Sequence, residues 1–389
     1  MMTNLQRAIQ REIASFAEAI TSNGGSIPEV SKAAFCKARK KLKPEIFSKL
    51  SDTVIKGYYD EDAGVKLWQN RFRVLACDGS TLELPNSDDI IDEFGVFKVR
   101  NDGKKTCMAR TLSVYDATNH LTLYGQMANM EKSETELLWE ALPQLEVFTN
   151  DIFVFDRYYA SHLLMFYLNA MGCHYCFRMK KDWWKIVEGF NATGKQSQVI
   201  ELQLPLKDHK EAQELEITRT KIKVRLVKIK LDSGEDEILL TSLTDAKSVS
   251  VTDLKELYGL RWNIEESYKT FKHRVCIENF TGKSVQAVKQ DYCLKIFIMN
   301  LTAAAVNPIN EALSKPLQPV KHIRKVNLTE ALSNMRKAVI SFFLFQKTEE
   351  EIPKVFTRMA KVTEPVRKGR QYPRHHQPKR KYPMGYKPI

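Results

Sequence analysis

Apolar residues recur at helical spacing along 251–275, where Leu257, Leu260, Ile264, Tyr268 and Phe271 fall on one stripe. That predicts a long amphipathic helix, and the same period predicts helices at 284–305 and near 328–345. The first 68 residues are helical in pattern as well. Within them "IPEVSKAAFCKARKKLKPEIF" predicts a short helix starting near Ser31, stopped before Pro44 and followed by another. The period then shortens. "RFRVLACDGSTLEL" predicts an apolar strand ending in Asp78-Gly79, and "TCMARTLSVYD" with "HLTLYGQM" a hairpin turning at "ATN". "DIFVFDRYYAS" predicts a second buried strand ending in Asp156. Ser133 and Glu136 form a capping box that opens a helix over "ETELLWEALPQL", and "SHLLMFYLNAMG" continues as another. Residues 173–247 alternate and are rich in β-branched side chains, which predicts a β-rich insertion.

This strand–hairpin–helix–strand–helix order describes an α/β layer. It divides the 389 residues into a helical region at 1–68, a first part of an α/β core at 69–172, the insertion at 173–247, a second core part at 248–345 and a basic tail at 346–389. From Pro365 onward the chain has many Lys and Arg, no acid and repeated prolines, so it is expected to stay extended until it meets a polyanion.

Composition sharpens the choice of partner. Hydrophobic content of 43% with 10% aromatic describes a globular chain, and 60 Lys+Arg against 47 Asp+Glu leave a net charge of +13. Such an excess favours nucleic acid or an anionic surface, though a solvated basic surface has the same composition. Lys32, Lys37, Arg39, Lys40 and Lys41 crowd one segment, which suits either a DNA-binding helix–turn–helix or a solvated basic helix. The N-terminus reads as an amphipathic helix rather than a signal peptide, and the apolar runs "IFIMNLTAAAV" and "AVISFFLF" fall short of a membrane span. Seven scattered cysteines suit the reduced thiols of a cytoplasmic protein, and Cys173-x-x-Cys176 has no second pair at zinc-ligand spacing.

Three carboxylates stand out by position. Asp78 and Asp156 end apolar strands, and a glutamate lies on the helix beyond the insertion. Hard divalent cations require oxygen ligands, and two held roughly 4 Å apart serve phosphodiester chemistry. Taken singly, Asp78 also suits a turn, and Asp156 a local pair with Arg157. On a wheel at about 100° per residue, Tyr258, Arg261, Glu265 and Lys272 lie within about 60° beside the buried stripe, and Glu266 points outward. An Arg261–Glu265 pair at i,i+4 is an ordinary helix feature too.

Tyr258, Arg261, Glu265 and Lys272, with two, three and six residues between them, resemble the Tyr-Arg-Glu-Lys signature of DDE transposases of bacterial insertion sequences. "ACDGSTLELP" is similar to that family's first-aspartate strand, with Ser80 preceding Thr81, and "VFDRYYAS" to its second. "ILLTSLTD", "ENFTGKSVQAVKQDYCLKIFIMNL" and "FCKARKKLKPEIF" resemble flanking family text, so the resemblance spans roughly 30 to 380.

The resemblance implies an RNase H-like catalytic core interrupted by the β-strand insertion, with a helical N-terminal DNA-binding region and a basic C-terminal tail. It implies an endonuclease in which Asp78, Asp156 and Glu265 hold two Mg²⁺, with Mn²⁺ substituting. Cleavage at transposon ends and strand transfer into target DNA, cut-and-paste transposition, would follow. Tyr258, Arg261 and Lys272 would grip phosphates, Arg157 being a further partner. Trp262, Trp183 and Trp184 are candidates for stacking on a base, or for packing. Lys37, Arg39, Lys40 and Lys41 would contact DNA. The implied partners are double-stranded DNA, both terminal inverted repeats and target, and a second copy of the chain in the DNA complex, on bacterial DNA in the cytoplasm. A nuclease without strand transfer, or a silent DNA-binding derivative that has lost an acid, are the alternatives.

Overall fold

The computed structural model describes residues 9–367 apart from 23, 63, 100–102, 104, 232–233, 317 and 346–347. Helices α1 (Ile9–Ser22), α2 (Lys32–Arg39) and α3 (Glu45–Asp60) precede strand β1 (Arg73–Leu84), helix α4 (Asp88–Phe94) and the short β2 (Lys98–Val99). The hairpin β3 (Lys105–Asp116) and β4 (Leu121–Asn129) leads through helix α5 (Glu134–Ala141) to β5 (Asp151–Phe155), helix α6 (His162–Ala170) and β6 (His174–Met179). Helix α7 (Lys185–Ala192), β7 (Ser197–Gln203), helix α8 (His209–Glu214), β8 (Lys221–Lys230) and β9 (Asp236–Thr241) come next. The chain closes with helices α9 (Val251–Leu260), α10 (Trp262–His273) and α11 (Val285–Ser314), β10 (Arg324–Val326), helices α12 (Leu328–Phe345) and α13 (Thr348–Lys361), and β11 (Thr363–Pro365).

One mixed nine-stranded sheet organises the described residues. Its order is β2-β3-β1-β5-β6-β9-β8-β7, with β4 paired to the other side of β3. β1, β5 and β6 run parallel, and the rest of the ladder is antiparallel. The strands expected as an insertion in the α/β layer extend this sheet. His174–Met179, expected inside that insertion, is the direct parallel neighbour of β5.

Alternation along β1 and β5 feeds two cores. Leu75, Cys77, Phe153 and Phe155 face α5 and α6, packing with Leu137, Leu138 and Phe166. Val74, Ala76, Ile152 and Val154 face the other way, against Leu254, Leu257 and Ile264 of α9 and α10. Cys173 and Cys176 belong to these two opposite cores, which rules out a shared ligand or disulfide between them. A third core gathers Leu82 and Leu84 at the far end of β1 with α11, α12 and α13. Helix α11 is long and apolar enough to cross a bilayer by composition, but two thirds of its apolar window is buried inside the protein.

Two expectations about the ends change. Phe47, Leu50 and Val54 of α3 pack into that third core, so the N-terminal helices are fastened to the α/β layer. The tail expected from 346 begins with a helix, α13, whose Val355 and Met359 are buried. The basic run 368–389 lies outside the described residues.

Candidate active site

β1 is longer than its partner β5. The two pair in parallel from Arg73 opposite Asp151 to Ala76 opposite Val154, and β5 ends at Phe155. β1 continues to Leu84 against β3 alone, so the strand expected to end at Asp78-Gly79 runs through it. Its burial pattern marks the place: Asp78, Gly79, Ser80 and Thr81 are half-buried after a fully buried stretch from Arg73 to Cys77. An open edge next to a strand's carboxyl end is where α/β sheets bind ligands.

Continuing the parallel register by two residues sets Asp156 level with Asp78. Strand neighbours stand about 4.8 Å apart, and both residues continue the rows that face α9 and α10. The register is pinned at the other end by a buried pair. Arg73 Nε donates to Asp151 Oδ1 at 2.7 Å and Nη2 to Oδ2 at 2.6 Å. Asp156 Oδ1 accepts from the Tyr158 amide at 2.6 Å, capping the 3-10 turn Arg157–Tyr159.

The glutamate of this group arrives on α10. The helix expected to be continuous over 251–275 breaks at Arg261, where the turns on both sides tighten to i,i+3 bonds. Two contacts fasten α10 to the sheet: Asn263 Nδ2 donates to the Ala117 carbonyl at 2.8 Å, and Tyr268 Oη to the Asp78 carbonyl at 2.6 Å. Glu265, half-buried, lies one turn before Tyr268 and accepts from Arg261 Nη2 at 2.9 Å. Glu266 faces solvent and pairs with Lys269 at 2.5 Å.

Arg261 is buried, yet its Nε finds no acceptor among the described residues. It stacks under the exposed Trp262 ring at 5.0 Å and beside the Tyr258 ring at 5.7 Å. Tyr258, expected to grip a phosphate, is buried and packs with the sheet residues of the second core, and its hydroxyl finds no partner among the described residues. Lys272 is half-buried beside Tyr268 and Phe271, and Arg157 is exposed next to Asp156. Among the basic residues of the N-terminal region, Lys37, Lys40 and Lys41 are exposed. Arg39 corrects the expectation of a common basic face. It is buried, pairs with Asp291 at 2.8 Å, and donates from Nε to Gln290 Oε1 at 2.6 Å. Trp183 is exposed, and Trp184 stacks on His162 with ring centroids 3.8 Å apart.

Pattern reading missed one residue here. Glu134, the first residue of α5, lays its carboxylate over Gly79. Tyr159 Oη donates to its Oε2 at 3.1 Å, and Arg110 Nη1 approaches its Oε1 at 3.4 Å. The only signal in the sequence was the glycine after Asp78, which permits close approach without naming what approaches.

Electrostatics tie these residues together. Burial pushes the Asp78 carboxyl up to about 7; Arg261 pulls it down, and the negative charges of Glu134 and Glu265 add to the rise. The cluster thus sets the carboxyl groups of Asp78, Glu134 and Glu265 against the guanidiniums of Arg261 and Arg110. Its oxygen donors suit a hard divalent cation. Among the described residues no three His, Cys, Asp or Glu side chains are gathered closely enough to hold a metal as they stand, since Glu265 is turned to Arg261.

Comparison with known proteins bears on this arrangement. No curated protein matches the chain. Among solved structures it is similar to a piggyBac transposase synaptic complex with hairpin DNA, at 10% identity and a TM-score of 0.43. That similarity covers 74% of this chain and 57% of that one. Residues 69–301, the stretch from the strand of Asp78 to the middle of α11, match the Transposase DDE domain model. That is more than half of the chain, and the chain belongs to the family of DDE transposase domains.

Proposed function

We propose that the protein is a transposase of the bacterial insertion-sequence branch, which cuts DNA at the ends of its element and joins them to target DNA. Its α/β layer would be an RNase H-like core. The observation that carries this reading is the parallel pairing of Arg73–Ala76 with Asp151–Val154, whose continuation by two residues would bring Asp78 and Asp156 side by side, on the face covered by the helix of Glu265.

Asp78, Asp156 and Glu265 are the residues to hold divalent cations, Mg²⁺ with Mn²⁺ substituting. When bound, such ions activate an attacking oxygen and stabilise the leaving oxygen of a phosphodiester. The chain's own residues do the positioning. Arg261 pairs with Glu265 and draws the Asp78 carboxyl down in the free protein, and its unpartnered Nε is a buried donor for a phosphate oxygen. Tyr258 backs the guanidinium from the core side, and Trp262 offers an exposed face beside it. Arg157 and Lys272 flank the aspartates as phosphate contacts. Lys37, Lys40 and Lys41 hold double-stranded DNA, including the terminal inverted repeats, through its backbone. Two element ends require a second copy of the chain in the DNA complex, working on DNA in the cytoplasm.

The test is incubation of the purified protein with candidate element ends and Mg²⁺, read on a denaturing gel, followed by strand transfer from pre-cut ends. Site-specific nicks and joined products are expected, with Asp78→Asn binding ends without cutting them. Undiminished cleavage by Asp78→Asn overturns the site. Cleavage with no joining of pre-cut ends identifies a nuclease instead.

A further inference from the structure

We propose that Glu134 is a fourth carboxylate of this site, its Oε1 sharing with Asp78 the divalent cation that the triad binds. The inference rests on the reading of Asp78, Asp156 and Glu265 as the cation-holding residues and adds a ligand from a different element.

Glu134 comes from the opposite side of the sheet. Gly79 and its neighbour Cys77 face α5, whereas Asp78 faces α10. A side chain at 79 would close that face. With glycine there, the Glu134 carboxylate occupies the space of the missing methyl: a Cβ built on Gly79 would meet Glu134 Cγ at 2.5 Å, and its carboxyl carbon and Oε1 closer still. Glu134 therefore reaches the main chain next to Asp78 from the α5 face.

Its two oxygens are not equivalent. Oε2 is held by Tyr159 Oη at 3.1 Å, from the turn that follows Asp156. Oε1 stands over Gly79, and its contact with Arg110 Nη1 at 3.4 Å is long for a charge-assisted bond. The side chain is 23% exposed, so an ion can reach it from the open edge of β1. A purely structural acid at a helix N-terminus would be served by the helix dipole and by Arg110 alone. It would not require a strand residue without a side chain, nor a tyrosine from the Asp156 turn.

Mn²⁺ binding to the full chain at pH about 8 separates the two roles; the free-ion signal in electron paramagnetic resonance is the readout. Glu134→Gln keeps the shape and the acceptor for Tyr159 while removing the charge. It is expected to weaken Mn²⁺ binding about tenfold, as loss of a coordinating-shell group does. Gly79→Ala gives a second route, because its methyl displaces the flexible end of Glu134 and leaves the glutamate in the chain; the same weakening is expected. Wild-type affinity in Glu134→Gln, with or without a change in melting temperature, overturns the proposal. If Glu134→Gln does not fold, wild-type affinity in Gly79→Ala does so. Asp78→Asn distinguishes the failures: lost binding there with an unaffected Glu134→Gln leaves the triad standing, whereas equal binding by all variants removes both readings.

Discussion

The hydroxyl of Tyr268 donates to the main-chain carbonyl of Asp78 at 2.6 Å, so the helix that carries Glu265 is fastened to the strand at the residue it must serve. Tyr268→Phe leaves a half-buried carbonyl without this partner and lets α10 shift. Its expected cost in urea unfolding is about 1 kcal/mol. Cleavage of element ends should fall about tenfold or more, since small misplacements of reacting groups cost rate steeply. A loss in cleavage no larger than the loss in folded protein would deny the hydroxyl any positioning role.

Asp78 carries the pH dependence. Its carboxyl is raised to about 7 in the folded chain from an ordinary 3.8, so the folded state holds a proton that the unfolded state has released. The contribution to stability is therefore present at low pH and lost as pH rises toward 7. In cation-free buffer Asp78→Asn should melt above wild type at pH about 8 and close to it at pH about 4. Cation binding near neutral pH should release about half a proton per site, and nearer one at pH about 6, visible in calorimetry as a dependence on the buffer's ionisation heat.

The adjacent glutamates give a paired test. Glu265→Gln should abolish cleavage and cost about 1–3 kcal/mol, because it leaves the buried Arg261 without its anionic partner. Glu266→Gln removes only an exposed pair with Lys269, and should cleave within about twofold of wild type. Equal activity of the two variants in Mg²⁺ would place the acid elsewhere.

The basic helix divides in the same manner. Replacing Lys37, Lys40 or Lys41 by Ala should weaken DNA binding across sequences and lower the slope of log affinity on log salt by about 1 each, with folding unchanged. Arg39→Met should instead cost about 3–5 kcal/mol in unfolding, since it strands the buried Asp291. Binding and denaturation measured side by side separate the two kinds of residue.

Much of the sheet was legible in sequence because β1 begins as an apolar run and β5 forms one, β3 and β4 flank a turn at "ATN", and the Ser133 capping box forms as expected. The helical wheel also separated Glu265 from Glu266 correctly as to burial, because both lie on α10 beyond the break. What escaped depends on contacts between distant segments. The inward turn of Arg39 is decided by Asp291 and Gln290, some 250 positions away, and nothing local distinguishes it from Lys37 or Lys40. The wheel set Tyr258 near Arg261, beside the buried stripe, and gave no sign that both side chains are buried. Glu134 was invisible because approach through a glycine leaves no periodic trace. The strands at 197–241 looked like a separate unit because alternation records which face is buried and says nothing of which edge is paired.

The Arg73–Asp151 pair acts as an index mark for the whole sheet. It lies five residues from Asp78 along β1, about 16 Å at the rise of a strand. A slip of one residue between β1 and β5 would turn one aspartate to the opposite face while leaving both strands apolar and fully hydrogen-bonded. Packing alone would tolerate that error only poorly, and a fixed pair of buried charges forbids it. The chemistry at the open edge is thus read off from the closed end, and the residues that guarantee it never meet the substrate.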